Sequence, residues 1–448
     1  MSTNNDSIAS DERSRSELLY DRAQHVMPGG CSRNTVLRKP HPFYVDFGSG
    51  CYVTDLDGNR RIDFANNMAS LIHGHANEAI VAAVSAQLRR GTAFTLATEQ
   101  EVLYAEEMVD RSDSFEKIRF VNSGTEAVMS CLKAARAYTG RPKIAKVEGA
   151  YHGLYDFAEV SQTSNPGNWG DAAQPASVPV AHGTPQSTLN DVVVIPFNDA
   201  ARSIEILEKH VADLACILLD LVPHRIGLVP AQKEYVQALR RWTKKNNVLL
   251  VCDEVITFRC GFGGAQEHLD VSPDLTAMGK MIGGGFPVGA IAGSSAVMEV
   301  MNPLKSPVLF PHSGTFSANP VTMTAGRVAM QLFDRSAVDA LNALGSTARQ
   351  QLTEAISVAG VAACVTGSGS MFRILMKPEA PANYRSAYAS AAENQILQSF
   401  LDYVTANGIL LIGTGAGMLS TAMGQKEIDQ LCETALAGFR HLKANGGL

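Results

Sequence analysis

The sequence has no excess of positive charge. Its 38 Lys and Arg stand against 44 Asp and Glu, mixed along the chain to a formal net charge of −6. That leaves no basic stripe for nucleic acid. The eight cysteines are scattered with no pair at CxxC spacing, so neither a zinc nor a redox motif is present, and no metal is expected. They read as reduced, mostly buried thiols. No apolar run reaches the roughly 18 residues needed to span a bilayer. The polar opening MSTNNDSIASDERSRSELL has no signal-peptide core, so a cytoplasmic protein with no membrane partner is expected. Internal repeats and low-complexity linkers are also missing.

What is present suits a large globular chain. Of the 448 residues, 46% are hydrophobic and 18% charged, enough for a sizeable core in two or three domains, or in one large α/β domain with an appendage. Residues 1–15 read as a frayed arm. A short helix through SELLYDRAQHVM follows, then a hairpin around Asp57-Gly58. Between about 100 and 300, short apolar runs alternate with helical stretches: KIRFVN, KIAKVEG, DVVVIPF, ACILLDLV, NVLLVCDEV, LTAMG and VGAIAGS. Several are continuous rather than alternating, as in a mostly parallel sheet covered on both faces. After about 325, a long helical stretch leads into CVTGSG, MFRILMK and GILLIG and a closing helix. The expected division is an N-terminal segment, 1–70, packed with the small domain; a large domain, 71–325; and a small α+β domain, 326–448. The one long loop, 165–187, has the length of a lid.

Four places carry candidate chemistry. In FVNSGTEAVMSCLKAARAYTG a strand meets a helix at Ser123, Gly124 and Thr125; hydroxyls and amides there serve either to cap the helix or to bind an anion. Tyr151 and His152 follow a strand in EGAYHG, where an aromatic face either packs or projects at the sheet's carboxyl edge. Asp253 ends the strand NVLLVCD; it is a cap, an ion-pair partner, or a carboxylate able to hold a protonated ring nitrogen. Lys280 stands between LTAMG and three consecutive glycines, as a snorkelling surface lysine or as an amine for Schiff-base chemistry.

The ordered series NSGTEA at 122–127, YHG at 151–153, DEV at 253–255, GKMIGGGFPVGA at 279–290 and HSGTFSANP at 312–320 resembles the class III pyridoxal-phosphate aminotransferases. The subgroup most resembled contains glutamate-1-semialdehyde aminomutase and the β-amino-acid (β-phenylalanine) aminotransferases. The resemblance runs from about residue 25 to the closing helix. It implies fold type I: an α/β large domain with a mostly parallel seven-stranded sheet between helices, plus a smaller α+β domain. It also implies that pyridoxal 5′-phosphate is held through Lys280, with the same lysine moving the proton. Asp253 would pair with the pyridine nitrogen, and Val255 and Tyr151 would lie on opposite ring faces with His152 beside them. Ser123, Gly124 and Thr125 would hold the phosphate, and Thr315 would complete that site in the other subunit of a homodimer with shared active sites. Asp220 takes the place of a glutamate common in relatives and would lie near the cofactor's phenolic oxygen.

On the substrate side, Arg33 in MPGGCSR matches the carboxylate-binding arginine of the β-amino-acid enzymes, whereas LLIGTGAGMLS lacks their second arginine. A surface ion pair is the other reading of Arg33. Met68, Ala69 and Ser70 are expected to line the pocket. The implied activity is transamination between an amino acid, β or ω favoured, and a keto acid. Two alternatives are 2,1-aminomutase chemistry and a non-catalytic cofactor-binding regulator. The residues before the resemblance are too few for the DNA-binding domain such a regulator carries.

Overall fold

The computed structural model describes residues 13–446, so the first twelve residues of the expected arm lie outside the described residues. Seven strands form the central sheet. Their spatial order is Lys117–Val121, Gly289–Gly293, Leu275–Gly279, Leu249–Asp253, Leu214–Asp220, Lys143–Val147 and Val192–Ile195. Only Gly289–Gly293 runs against the others. The expected mostly parallel sheet is therefore the one observed, with all seven apolar runs in it.

The continuous apolar runs are explained by burial on both faces. Along Leu214–Asp220, Ile217 and Leu219 pack into one apolar cluster, while Cys216 and Leu218 pack into another on the opposite face. The first cluster takes Leu207 from the helix Ala200–Glu208 and Leu239 from Lys233–Asn246. The second takes Ala127, Cys131 and Ala135 from the helix Gly124–Thr139.

The chain's two ends share a sheet. Val45–Ser49, Tyr52–Asp55 and Arg60–Asp63 form an antiparallel meander around the expected turn, and Ile409–Leu410 adds to it in parallel. Cys364–Thr366, Met371–Leu375 and Ala416–Met418 form a separate antiparallel sheet. The long helical stretch is two helices, Pro320–Leu332 and Arg335–Ala359. The break comes at Asp334, whose carboxylate accepts from the Ala337 amide at 2.8 Å and starts the second helix. The expected boundary at 325/326 falls inside the first helix.

The 165–187 loop is tied down near its start. Arg385 donates to the carbonyl oxygens of Trp169, Gly170 and Asp171, and its guanidinium stacks on Trp169. Among the described residues no helix is long and apolar enough to cross a membrane.

Candidate active site

Parallel strands bring their carboxyl ends to one edge, where open α/β sheets bind ligands. Asp220 ends Leu214–Asp220 and Asp253 ends Leu249–Asp253, and the two are directly paired across the ladder. Lys280 follows Leu275–Gly279, Ser123 follows Lys117–Val121, and Tyr151 follows Lys143–Val147. These residues, with Gly124, Thr125, His152, Val255 and Ser70, line one cavity of about 380 Å³. Sequence positions from 123 to 280 thus converge because the topology places their strand ends together.

Burial sets the protonation of the cavity floor. Lys280 is pushed below the ordinary lysine range because burial penalises the ammonium, while Asp253 and Asp220 oppose that shift. It is thereby a more accessible neutral amine. Asp220 is pushed well up by burial and by the neighbouring charges of Asp253 and Glu254, although the Val222 amide donates to it at 2.9 Å. His152 donates from Nδ1 to Asp253 Oδ2 at 2.7 Å, and Asp253 Oδ1 accepts from the Val255 amide at 3.0 Å. Burial lowers the His152 pKa, which keeps the imidazole neutral and makes it a fixed dipolar donor to the carboxylate. Its Nε2 is buried without a partner among the described residues. Lys280 holds φ at +51°, in the left-handed region a lysine rarely adopts. Strain of that kind recurs at functional sites.

The strand-to-helix turn caps its helix and leaves first-turn amides facing the cavity. Ser123 Oγ accepts from the Glu126 amide at 3.1 Å and caps the helix Gly124–Thr139. First-turn amides have no acceptor within a helix, so Gly124 and Thr125 present N–H groups at the positive end of its dipole. A side chain at Gly124 would bring a Cβ within 2.8 Å of Val255 Cγ1, so the backbone can sit beneath Val255 only as glycine. In the triplet after Lys280, Gly284 holds φ at +58° and a Cβ there would strike the Ala325 carbonyl. That glycine is required by the helix Pro320–Leu332, against which the turn packs.

The chain matches the class III aminotransferase family model over residues 35–439. It belongs to the class III aminotransferases. Among curated relatives, it is 40% identical to glutamate-1-semialdehyde 2,1-aminomutase of Methanothermobacter thermautotrophicus over 84% of this chain and 87% of that protein. Among solved structures, an omega-transaminase from Sphaerobacter thermophilus is 45% identical, with a TM-score of 0.94 and coverage of 96% of this chain and 98% of that one. A β-phenylalanine aminotransferase from Variovorax paradoxus is 30% identical, with a TM-score of 0.85 and coverage of 97% and 94%. The fold is that of the type I pyridoxal-phosphate enzymes, and pyridoxal phosphate is the cofactor. The donor set fits it: an amine that burial inclines to neutrality, a carboxylate steadied by a buried histidine, and a helix N-terminus within one cavity.

The remaining candidates fall outside that cavity. Arg33 and Met68 line an adjoining cavity of about 490 Å³, which shares Asn67 and Gly285 with the first. Thr315 is exposed and touches neither cavity. The sequence reading missed Asn67, which accepts from Arg33 Nη1 at 2.6 Å and donates to Ser70 Oγ at 3.0 Å. It also missed Lys146, fully buried behind the Tyr151 turn, with Nζ donating to the carbonyls of Ala150 at 2.9 Å and Val160 at 2.6 Å. A lysine amid apolar strand residues was the available signal for the second. Nothing marked the first.

Proposed function

We propose that this enzyme is a transaminase that takes the amino group from a β- or ω-amino acid and passes it to an α-keto acid in two half-reactions. The observation that carries this reading is Arg33. Its guanidinium has no carboxylate partner among the described residues, is held by Asn67 at the junction of the two cavities, and is accompanied by apolar Val36, Leu37 and Met68. A planar fork in that setting suits a substrate carboxylate attached to an apolar body.

The cofactor supplies the electron sink for the bond-breaking step. Lys280 would anchor it, and Lys280 Nζ, when uncharged, accepts the proton from the substrate Cα. Asp253, with His152 behind it, would hold a proton on the ring nitrogen. Tyr151 and Val255 would bound the ring's two faces, and Ser123, Gly124 and Thr125 would receive the phosphate. Asp220, inclined to keep its proton, can donate toward the phenolic oxygen. We assign Thr315 to the neighbouring active site of a cytoplasmic homodimer; its surroundings support this, since the nearby Leu309 and Phe316 expose apolar surface.

Aminomutase chemistry is the second reading, favoured by the 40% identity to an aminomutase. A panel of α-, β- and ω-amino donors and diamines, followed by the cofactor's absorbance and by keto-product release, separates the two. β-Amino acids should convert the cofactor to its amine form and release a keto acid once an external acceptor is added. If only diamines or α-amino aldehydes alter the spectrum, transamination of β-amino acids is not the activity.

A further inference from the structure

We propose that Arg225 is a second carboxylate-binding residue, one that receives an amino- or keto-acid carboxylate above the Tyr151 face of the cofactor cavity. This rests on the transaminase reading for its substrate class, but its geometry stands apart from that reading.

Arg225 is exposed, and it makes no ion pair among the described residues. Its guanidinium lies 5.6 Å from the ring centroid of Tyr151, and its Nη1 donates a long 3.3 Å bond to the Gln162 carbonyl. Tyr151 lines the cofactor cavity and is 40% exposed. An arginine resting on an aromatic face keeps its N–H edge available for a planar anion.

The backbone beneath Arg225 is held from several directions. It sits in the short turn His224–Ile226, which begins four residues after the cavity-lining Asp220. Arg373 Nη1 donates to the His224 carbonyl at 2.6 Å, His224 Nε2 bonds Thr414 Oγ1 at 3.0 Å, and Thr366 Oγ1 donates to the Gly227 carbonyl. A cation on so fixed a base is presented rather than left to wander. Thr414 belongs to LLIGTGAGMLS, a stretch with no arginine of its own. The turn supplies an arginine beside the segment that lacks one. Among the described residues no acid pairs with it, and Arg225 adds to the forces lowering the pKa values of His224, Lys146 and Arg373. Arg225 itself lies outside the cavity lining and adjoins the cavity through Tyr151.

The test uses the holoenzyme and Arg225→Gln, with Arg225→Lys as the conservative variant. Titration calorimetry with 3-phenylpropanoate and with propanoate, which carry a carboxylate but no amine, reads binding without turnover. Kinetics with β-phenylalanine against 1-phenylpropylamine, the matched amine in which an ethyl group replaces the carboxymethyl, reads the carboxylate's share. Arg225→Gln should weaken carboxylate binding and raise KM for β-phenylalanine about tenfold or more, the scale of a lost charged hydrogen bond. Values for 1-phenylpropylamine, the Tm and the cofactor absorbance should stay near wild type, and Arg225→Lys should recover part of the loss. Equal losses for the acid and the amine, unchanged carboxylate affinity, or a wild type that binds neither carboxylate overturns the proposal. If the wild type binds carboxylates through Arg225 yet transfers no amine from any β-amino acid, the transaminase reading fails and the assignment of Arg225 stands.

Discussion

The cofactor side and the substrate side of the cleft are built by opposite means. On the cofactor side, Asp253, His152 and Lys280 stand at the ends of strands in one sheet, buried and held by short hydrogen bonds or neighbouring charge. On the proposed substrate side, Arg33, Asn67 and Met68 come from irregular N-terminal backbone and border a wider cavity together with the Leu410–Gly413 segment. Rigid strand ends suit atoms whose positions are fixed by one unchanging cofactor. A cavity walled by loops accommodates change in the substrate without disturbing the chemistry.

The largest expected effect tests the cofactor side. On the proposed mechanism, Lys280→Ala removes the amine that would anchor the cofactor and the group that would move the proton. The proton-transfer role alone is worth about 10²–10⁴-fold. Turnover should fall at least that far, and mass spectrometry after borohydride treatment should find no cofactor attached to the chain. Attachment at another lysine, such as Lys146, would show that the floor of the cleft has been misread.

A smaller effect concerns how the cofactor side is held together. Lys146 is buried, and burial with the nearby Arg225 charge lowers its pKa from the ordinary lysine range to about 7. Between about pH 7 and the unfolded value, the unfolded chain binds the extra proton, so folding stability rises with pH. Below pH 7 both states are protonated and the burial penalty is present in full. The slope is at most about 1.4 kcal/mol per pH unit. Denaturant melts of the wild type minus those of Lys146→Met should show this rise between pH 7 and 10. A difference that is flat across that window would mean that Lys146 stays charged in the folded protein.

The same contrast governs what could be read from sequence. The seven strands were legible because each is a short apolar run, several of them continuous, and the candidate cofactor residues because they follow such runs. Asp220, Asp253 and Lys280 needed only the sheet's topology to bring them together. The break at Asp334 was hidden because the apolar spacing continues across it, and only the carboxylate cap marks the new helix. Arg225 was missed because its importance depends on Tyr151, 74 positions earlier and adjacent only in the fold. The substrate side leaves little trace in periodicity because it is made of turns.

Asn67 is where that trace is faintest and where the smallest effect is expected. Residues Asn66, Asn67, Met68 and Ala69 all hold positive φ, from +43° to +73°. The run is pinned by Asp63 Oδ1, which accepts from the Ala65 and Asn66 amides, and by Asn66 Nδ2, which donates to the Met418 carbonyl at 2.6 Å. Asparagine tolerates this region better than most residues, whereas alanine there costs roughly 1–2 kcal/mol and glycine almost nothing. Replacement by either removes the Oδ1 that holds Arg33. Asn67→Ala and Asn67→Gly should therefore share a severalfold rise in KM for a carboxylate donor, the scale of one hydrogen bond of about 1 kcal/mol. Their stabilities should differ, with the alanine variant melting lower. Equal Tm values would remove strain from the account of this turn, and an unchanged KM in both would remove Asn67 from the positioning of Arg33. Only the combination of a shared kinetic defect and separate stabilities is what a strained turn carrying an arginine's anchor produces.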